Sequence, residues 1–309
     1  MNYFDLHCDS LTGALQNSAD MDAGRLQVSL GKTASLEKYC QCFAVFLPDT
    51  IRGEDAWNYY QIVRHYFGRQ LEKFSDRWEQ AKTGSDIGRI TAAGKTAAVF
   101  TLEGGAVLGG KLSRLAEVKA DGVKMMTLTW NGENELGFGA PDPEKGLKPF
   151  GIEAIREMER IGIGIDISHL SDAGIEDVFQ NVSGPVIATH SNSRPLCGHM
   201  RNLEDEYFRE IARRGGLVGI NFYKAFLNDD PEKATLMDIA RHIAHFVELG
   251  GEDTVCMGSD FDGCEVVPGL EDLTKLGDLS VVLRESGFTE AQTEKFFWGN
   301  AYQYFIGHF

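Results

Sequence analysis

Six residues in this chain carry side chains suited to holding a divalent cation or moving a proton: His7, Asp9, Glu103, His169, His190 and Asp260. His7 and Asp9 are two positions apart, so in an extended strand both leave the same face and can reach one ion. Glu103 brings two oxygens, enough to bridge two cations. His169 and His190 are imidazoles that can share a second ion. Imidazole and carboxylate ligands without thiolate suit zinc, and also manganese, cobalt or iron. A lone histidine at a strand end is more often a hydrogen-bonded residue than a ligand. The chemistry therefore depends on whether one fold brings all six together.

The pattern of apolar runs says that it does. Candidate strands span 3–8, 42–47, 97–102, 123–129, 163–168, 185–189, 217–222 and 254–259, and amphipathic stretches at 56–83, 151–161, 203–214 and 235–249 predict helices between them. Eight strands with room for a helix after each predict an α/β fold, a (β/α)8 TIM barrel of the metal-dependent hydrolase type, occupying residues 1–309 as one catalytic domain. A doubly wound open sheet is the alternative, but no GxGxxG follows a strand. In a barrel the ends of the first, third, fifth, sixth and eighth strands converge on one face, and the six residues lie at those ends. The other histidines fit helices or loops: His65, His242 and His245 sit in helical patterns and His308 near the end, while His199 follows the sixth strand and lies near the site.

Composition narrows the partners. A formal charge of −16 excludes the basic patch that nucleic acid requires and disfavours anionic lipid. No apolar run of about 18 residues marks a membrane span, and the MNYFDLHCDS opening has no signal-peptide pattern, so a cytoplasmic protein is expected. The six cysteines show no CxxC spacing and read as reduced thiols, with Cys40 and Cys42 on one side of a strand.

The segments DLHCDS (5–10), TLEGG (101–105), IDISHLSD (165–172), THSNSRPLCGHMRNLEDE (189–206), GGLVGINFY (215–223) and GSDFDG (258–263), with the WGNAYQYF ending (298–305), resemble the membrane dipeptidase, or renal dipeptidase, family in order along the chain. The resemblance implies a (β/α)8 barrel with two Zn2+ ions that hydrolyses dipeptides, commonly those with a C-terminal D-residue. It implies that His7 and Asp9 bind one zinc, Glu103 bridges, and His169 and His190 bind the second. It assigns Arg201 to the substrate's C-terminal carboxylate, a fit for a guanidinium fork. Asp260 matches the aspartate that shuttles the proton of the attacking water, with Asp262, two residues on, as a competitor for that role. A homodimer is implied as well.

One position departs from the pattern. The family places a histidine after the fourth strand, in a TLTH segment, where it helps polarise the scissile carbonyl. Here the segment is TLTWNGEN and the position is Trp130. An indole N–H donates a hydrogen bond but cannot cycle a proton. Trp130 and Asn131 are then expected to contact substrate, with Asn134 a nearby donor and His199 another substitute. The departure keeps two rivals open: a hydrolase of another small amide, such as an N-acyl amino acid, and a catalytically silent metal- or ligand-binding homologue.

Overall fold

A computed structural model describes residues 1–309. Nine strands form one parallel sheet: β1 (Asn2–Cys8), β2 (Lys38–Phe46), β3 (Trp78–Gln80), β4 (Thr96–Glu103), β5 (Val123–Thr127), β6 (Gly164–Asp166), β7 (Ile187–Ala188), β8 (Leu217–Ile220) and β9 (Val255–Met257). β1 pairs with both β2 and β9, and β2 pairs with β4 in unbroken register from Tyr39↔Thr96 to Phe46↔Glu103. The ladder then runs through β5, β6, β7 and β8 to β9, so eight strands close a (β/α)8 barrel.

β4, TAAVFTLE, is buried at every position, because one face meets the barrel interior and the other meets helices. Ala97 and Val99 point inward with Cys40 and Cys42 of β2, which do share one face, and Glu103 follows on the same face at the top. β1 departs from strict alternation. Its pairing with β2 shifts between Asp5 and Cys8, so Phe4 and Leu6 enter the inner core while His7 and Asp9, beyond the irregularity, turn into the barrel mouth.

Helices return the chain between strands. Pro149 opens the helix Pro149–Ile161 at a position where its missing N–H costs nothing, and Gly162, at φ 74°, closes it. The helix Leu236–Glu248 buries Ile239, Ile243 and Phe246 at helical spacing. Phe246 stacks on Phe208 of the helix Asp205–Arg213 with ring centres 4.1 Å apart. Truncating either ring to alanine would cost about 3–5 kcal/mol.

The expected helix at 56–83 is a correction. The helix spans Gly53–Lys73, and Trp78–Gln80 form β3, which pairs only with Thr96–Ala98 of β4, below the point where β5 joins. Leu71, Phe74 and Trp78 keep a helical spacing that hides the strand. Trp78 instead packs edge-on against Phe43 and Phe67, its indole N–H donating to the Gln70 carbonyl at 3.0 Å.

The barrel floor is closed by the helix Asn300–His308, whose Tyr304 and Phe305 join Trp298 beneath Phe4, Val99, Met125 and Leu217. This helix sits against Gly84, where a Cβ would lie 2.3 Å from the Phe305 carbonyl oxygen. All six cysteines are unpaired, and no helix is long and apolar enough to cross a membrane.

Candidate metal centre and substrate cavity

The top of the barrel opens into a cavity of about 590 Å³, lined among others by Asp9, Glu103, Trp130, His169, Arg201 and Asp260. That volume suits a small molecule. His7 and His190 lie deeper, 2% and 0% exposed, with their rings stacked at 3.9 Å. The structure thus brings all six residues together.

Glu103 divides its carboxylate. Oε2 lies 3.5 Å from His7 Nε2, while Oε1 lies 3.0 Å from His169 Nε2 and 3.6 Å from His190 Nε2. His7 Nε2 also lies 3.5 Å from Asp9 Oδ2 and 3.9 Å from Asp260 Oδ1. The ligating atoms of His7, Asp9 and Asp260 lie within 4.8 Å of one another, as do those of His7, Glu103 and His190.

Three carboxylates in a buried pocket oppose one another. Burial first, then Asp9, push Glu103 and Asp260 above the usual carboxylate range. Burial opposes a charge on His7, but Glu103 and Asp9 outweigh it and raise its pKa. His169 and His190 go the other way: burial, reinforced by Arg201 and His7, holds both neutral. His169 and His190 are thus ready as neutral donors, and the proton that the carboxylates favour on His7 occupies a place that a divalent cation would take from it. Among these groups, His7 Nε2 and Asp9 Oδ1 are buried with no hydrogen-bond partner. Such orphaned atoms fit a metal ligand role, since an unpaired buried polar atom is otherwise costly.

The local backbone is shaped for this. His169 and Asp260 adopt φ of 69° and 62°, a region that costs a residue with a side chain on the order of 1 kcal/mol. Gly263 is required: a Cβ there would lie 2.1 Å from Asp9 Oδ2 and 2.6 Å from Asp260 Oδ1.

Asp260 and its competitor have different surroundings. Both aspartates line the cavity, but Asp260 Oδ2 accepts only one hydrogen bond, from Asn221 Nδ2 at 3.0 Å. Asp262 accepts from Ser10 Oγ and from the backbone N–H groups of Gln27 (2.8 Å) and Val28 (3.1 Å). Its lone pairs are committed to fixing the 27–28 loop.

Arg201 is buried, 6% exposed. Its Nη2 donates to the His190 carbonyl at 3.4 Å and its Nε has no partner. The guanidinium lies 5.4 Å from the Phe226 ring centre, and burial lowers its pKa to about 10, leaving it charged at neutral pH. His199 lines the same cavity, and its Nδ1 accepts from the Arg201 N–H at 3.2 Å. Trp130 stands edge-on to Phe46, ring centres 5.0 Å apart, as an aromatic wall. Asn131 also lines the cavity, with its Oδ1 2.9 Å from His169 Nδ1. Asn134 is a correction: its side chain turns into its own loop, donating to the Leu128 carbonyl and accepting from the Leu136 and Gly137 N–H groups.

Some residues at the site carry no signal of their own in the sequence. Asn221 follows β8, on the inward face two positions after Gly219. Asp5 Oδ1 accepts from the His7 N–H at 3.2 Å and the Ser259 N–H at 2.9 Å, tying the first strand to the loop that carries Asp260. His242 Nδ1 accepts from the Ser193 N–H, and its Nε2 meets the Leu227 carbonyl at 3.1 Å, which clips the loop bearing Arg201 to the next segment. His245 pairs with Asp205 at 2.7 Å.

A closed parallel barrel with imidazoles and carboxylates gathered at its C-terminal mouth defines a metal-dependent hydrolase. The chain belongs to the membrane dipeptidase family, peptidase family M19, whose profile matches residues 1–305. It is accordingly a metal-dependent dipeptidase. The dipeptidase tcpJ of Claviceps purpurea is 34% identical over 232 residues, a match that covers 74% of this chain and 54% of that protein. The structure of the metallopeptidase dipeptidase AC superposes with a TM-score of 0.93 at 27% identity, covering 100% of this chain and 98% of that one. A metallopeptidase from Rhodobacter sphaeroides, liganded with a phosphinate mimic of the dipeptide L-Ala-D-Ala, gives a TM-score of 0.93 at 25% identity, covering 100% and 99%.

Proposed function

We propose that this chain is a two-zinc dipeptidase in which His7 and Asp9 hold one ion, His169 and His190 hold the other, and Glu103 bridges them. The observation that carries this reading is the divided carboxylate of Glu103, one oxygen toward His7 and the other toward His169 and His190. Two bound cations supply a water acidified toward neutral pH and a polarised scissile carbonyl.

The chain's own residues do the rest. Arg201, charged and with an unpaired Nε, lines the cavity and takes the substrate's C-terminal carboxylate, which orients the peptide bond. Asp260, steadied by Asn221, accepts the proton of the attacking water and returns it to the leaving amine. Trp130 and Phe46 wall the cavity and exclude water from one side, and Asn131 steadies His169. The phosphinate mimic bound by the Rhodobacter protein supports dipeptides with a C-terminal D-residue as substrates here.

The test is turnover of a panel of L,L- and L,D-dipeptides beside N-acyl amino acids, on protein with its metal content measured. Near two zinc ions per chain and hydrolysis of free dipeptides, the L,D forms included, are expected. One ion at saturation, or preference for N-acyl amino acids, overturns the reading.

A further inference from the structure

Asp166 is fully buried beneath the cavity and accepts four hydrogen bonds. Its Oδ1 receives the N–H groups of Ser168 (2.9 Å) and Thr189 (3.0 Å), and its Oδ2 receives the hydroxyls of Thr127 and Thr189, both at 2.6 Å. The Thr189 hydroxyl has one proton, and a short bond to a carboxylate takes it. Its oxygen can then only accept from its other close neighbour, His190 Nδ1, at 2.8 Å.

We infer that Asp166, acting through the Thr189 hydroxyl, is a positioning residue that fixes the tautomer of His190, with the proton on Nδ1 and the lone pair of Nε2 turned toward Glu103. The inference rests on the metal reading given above. A neutral histidine left alone divides between two tautomers, and only the one with a free Nε2 can ligate an ion in the cavity. The relay removes that choice, and the Thr189 backbone, held by the same carboxylate, fixes the ring's height. An imidazole hydrogen-bonded through its second nitrogen in this way is both better oriented and more basic.

The experiment measures zinc release from the metal-loaded protein into excess chelator, for wild type, Thr189→Val and Thr189→Ser. Valine keeps the shape and the backbone N–H but removes the relay; serine restores the hydroxyl. One of the two ions is expected to bind about 10–100-fold more weakly in Thr189→Val, with the other unchanged and Thr189→Ser close to wild type. Equal affinities in wild type and Thr189→Val overturn the inference, as does a serine variant no better than valine, which would make the methyl group the cause. Should valine impair folding, the cobalt-loaded wild type provides a second readout. The His190 Nδ1–H is buried against Thr189, so its hyperfine-shifted proton line is expected to persist in water. A line lost to rapid solvent exchange overturns the relay. A wild type that binds no metal defeats the metal reading itself, and this inference with it.

Discussion

His169 Nε2 and His190 Nε2 face each other at 2.9 Å, each ring anchored from behind through its Nδ1, His169 by Asn131 and His190 by Thr189. With both rings held neutral, their lone pairs converge, and Glu103 Oε1 converges on the same point. Without a cation this is a repulsive arrangement, built ahead of its ligand. Stability and function should therefore oppose one another at Glu103. The isosteric Glu103→Gln is expected to raise the thermal midpoint of the metal-free protein by about 2 °C, which corresponds to roughly 1 kcal/mol for a chain of this size. It should also abolish the stabilisation that added zinc gives the wild type. Thermal unfolding with and without chelator measures both; a metal-free variant less stable than metal-free wild type would contradict the repulsion.

Asp260→Asn preserves shape and keeps an acceptor for Asn221 but cannot take a proton. The expected result is a loss of about two to four decades in kcat with metal content unchanged. Near-normal turnover in a folded, metal-loaded variant would move the base elsewhere. Asp262→Asn is expected to act on stability instead, because that carboxylate holds Ser10 and the 27–28 loop.

Arg201→Ala should weaken hydrolysis of free dipeptides by roughly one to two decades in kcat/KM, the worth of a charge-assisted hydrogen bond of about 1.5–3 kcal/mol. Dipeptide amides should begin poor and change little. Arg201→Lys should recover only part, since an ammonium cannot reproduce the fork. Equal losses on acid and amide would make Arg201 structural.

Trp130→His restores the residue type that the family places after this strand. If a proton-cycling donor there assists the carbonyl, kcat should rise about tenfold. The lost edge-on contact with Phe46 should lower stability by about 1 kcal/mol. Steady-state kinetics across pH is the measurement, and an unchanged kcat would show that Trp130 serves only as a wall.

His242 predicts an acid limit on stability. Burial lowers its pKa from 6.5 to about 4, so the unfolded chain binds the extra proton first as pH falls. Its contribution is complete above pH 6.5 and is lost progressively down to about pH 4, by up to about 3 kcal/mol. His242→Gln, which cannot titrate, should flatten the stability curve across that window. An identical slope in both proteins would assign the acid sensitivity to other groups.

The barrel and its mouth were legible because strands buried on both faces read as continuous apolar runs, and polar residues that end such runs stand out. Glu103 at the end of TAAVFTLE is the clearest case. What sequence left open was decided by contacts remote along the chain. Asp260 and Asp262 are equivalent as letters; only the bonds from Ser10, Gln27 and Val28, more than 230 positions away, separate them. Asp166 and Asn221 look like ordinary strand-end residues until the neighbouring loops are placed. His7 and Asp9 both face the barrel mouth, but through a strand that is not regular: a register shift after Asp5, invisible in the sequence, turns His7 inward. β3 was hidden because its tryptophan falls on the helical rhythm of the preceding segment.

The pairing of β1 with β9, and of Phe4 with Phe305, has a consequence for synthesis. Until residues beyond 255 have emerged, the first strand of a nascent chain lacks one neighbour, and the barrel floor exposes Phe4, Val99 and Leu217 to water. The half-made protein is a curved sheet with two open edges, the form most exposed to pairing with another chain. Holding the chain stalled between Met257 and Asn300 should therefore increase aggregation and chaperone capture far more than the same pause placed before β2. In this molecule the helix Asn300–His308 is a closure event: the barrel floor is shielded from water only once that helix has joined the strands it covers.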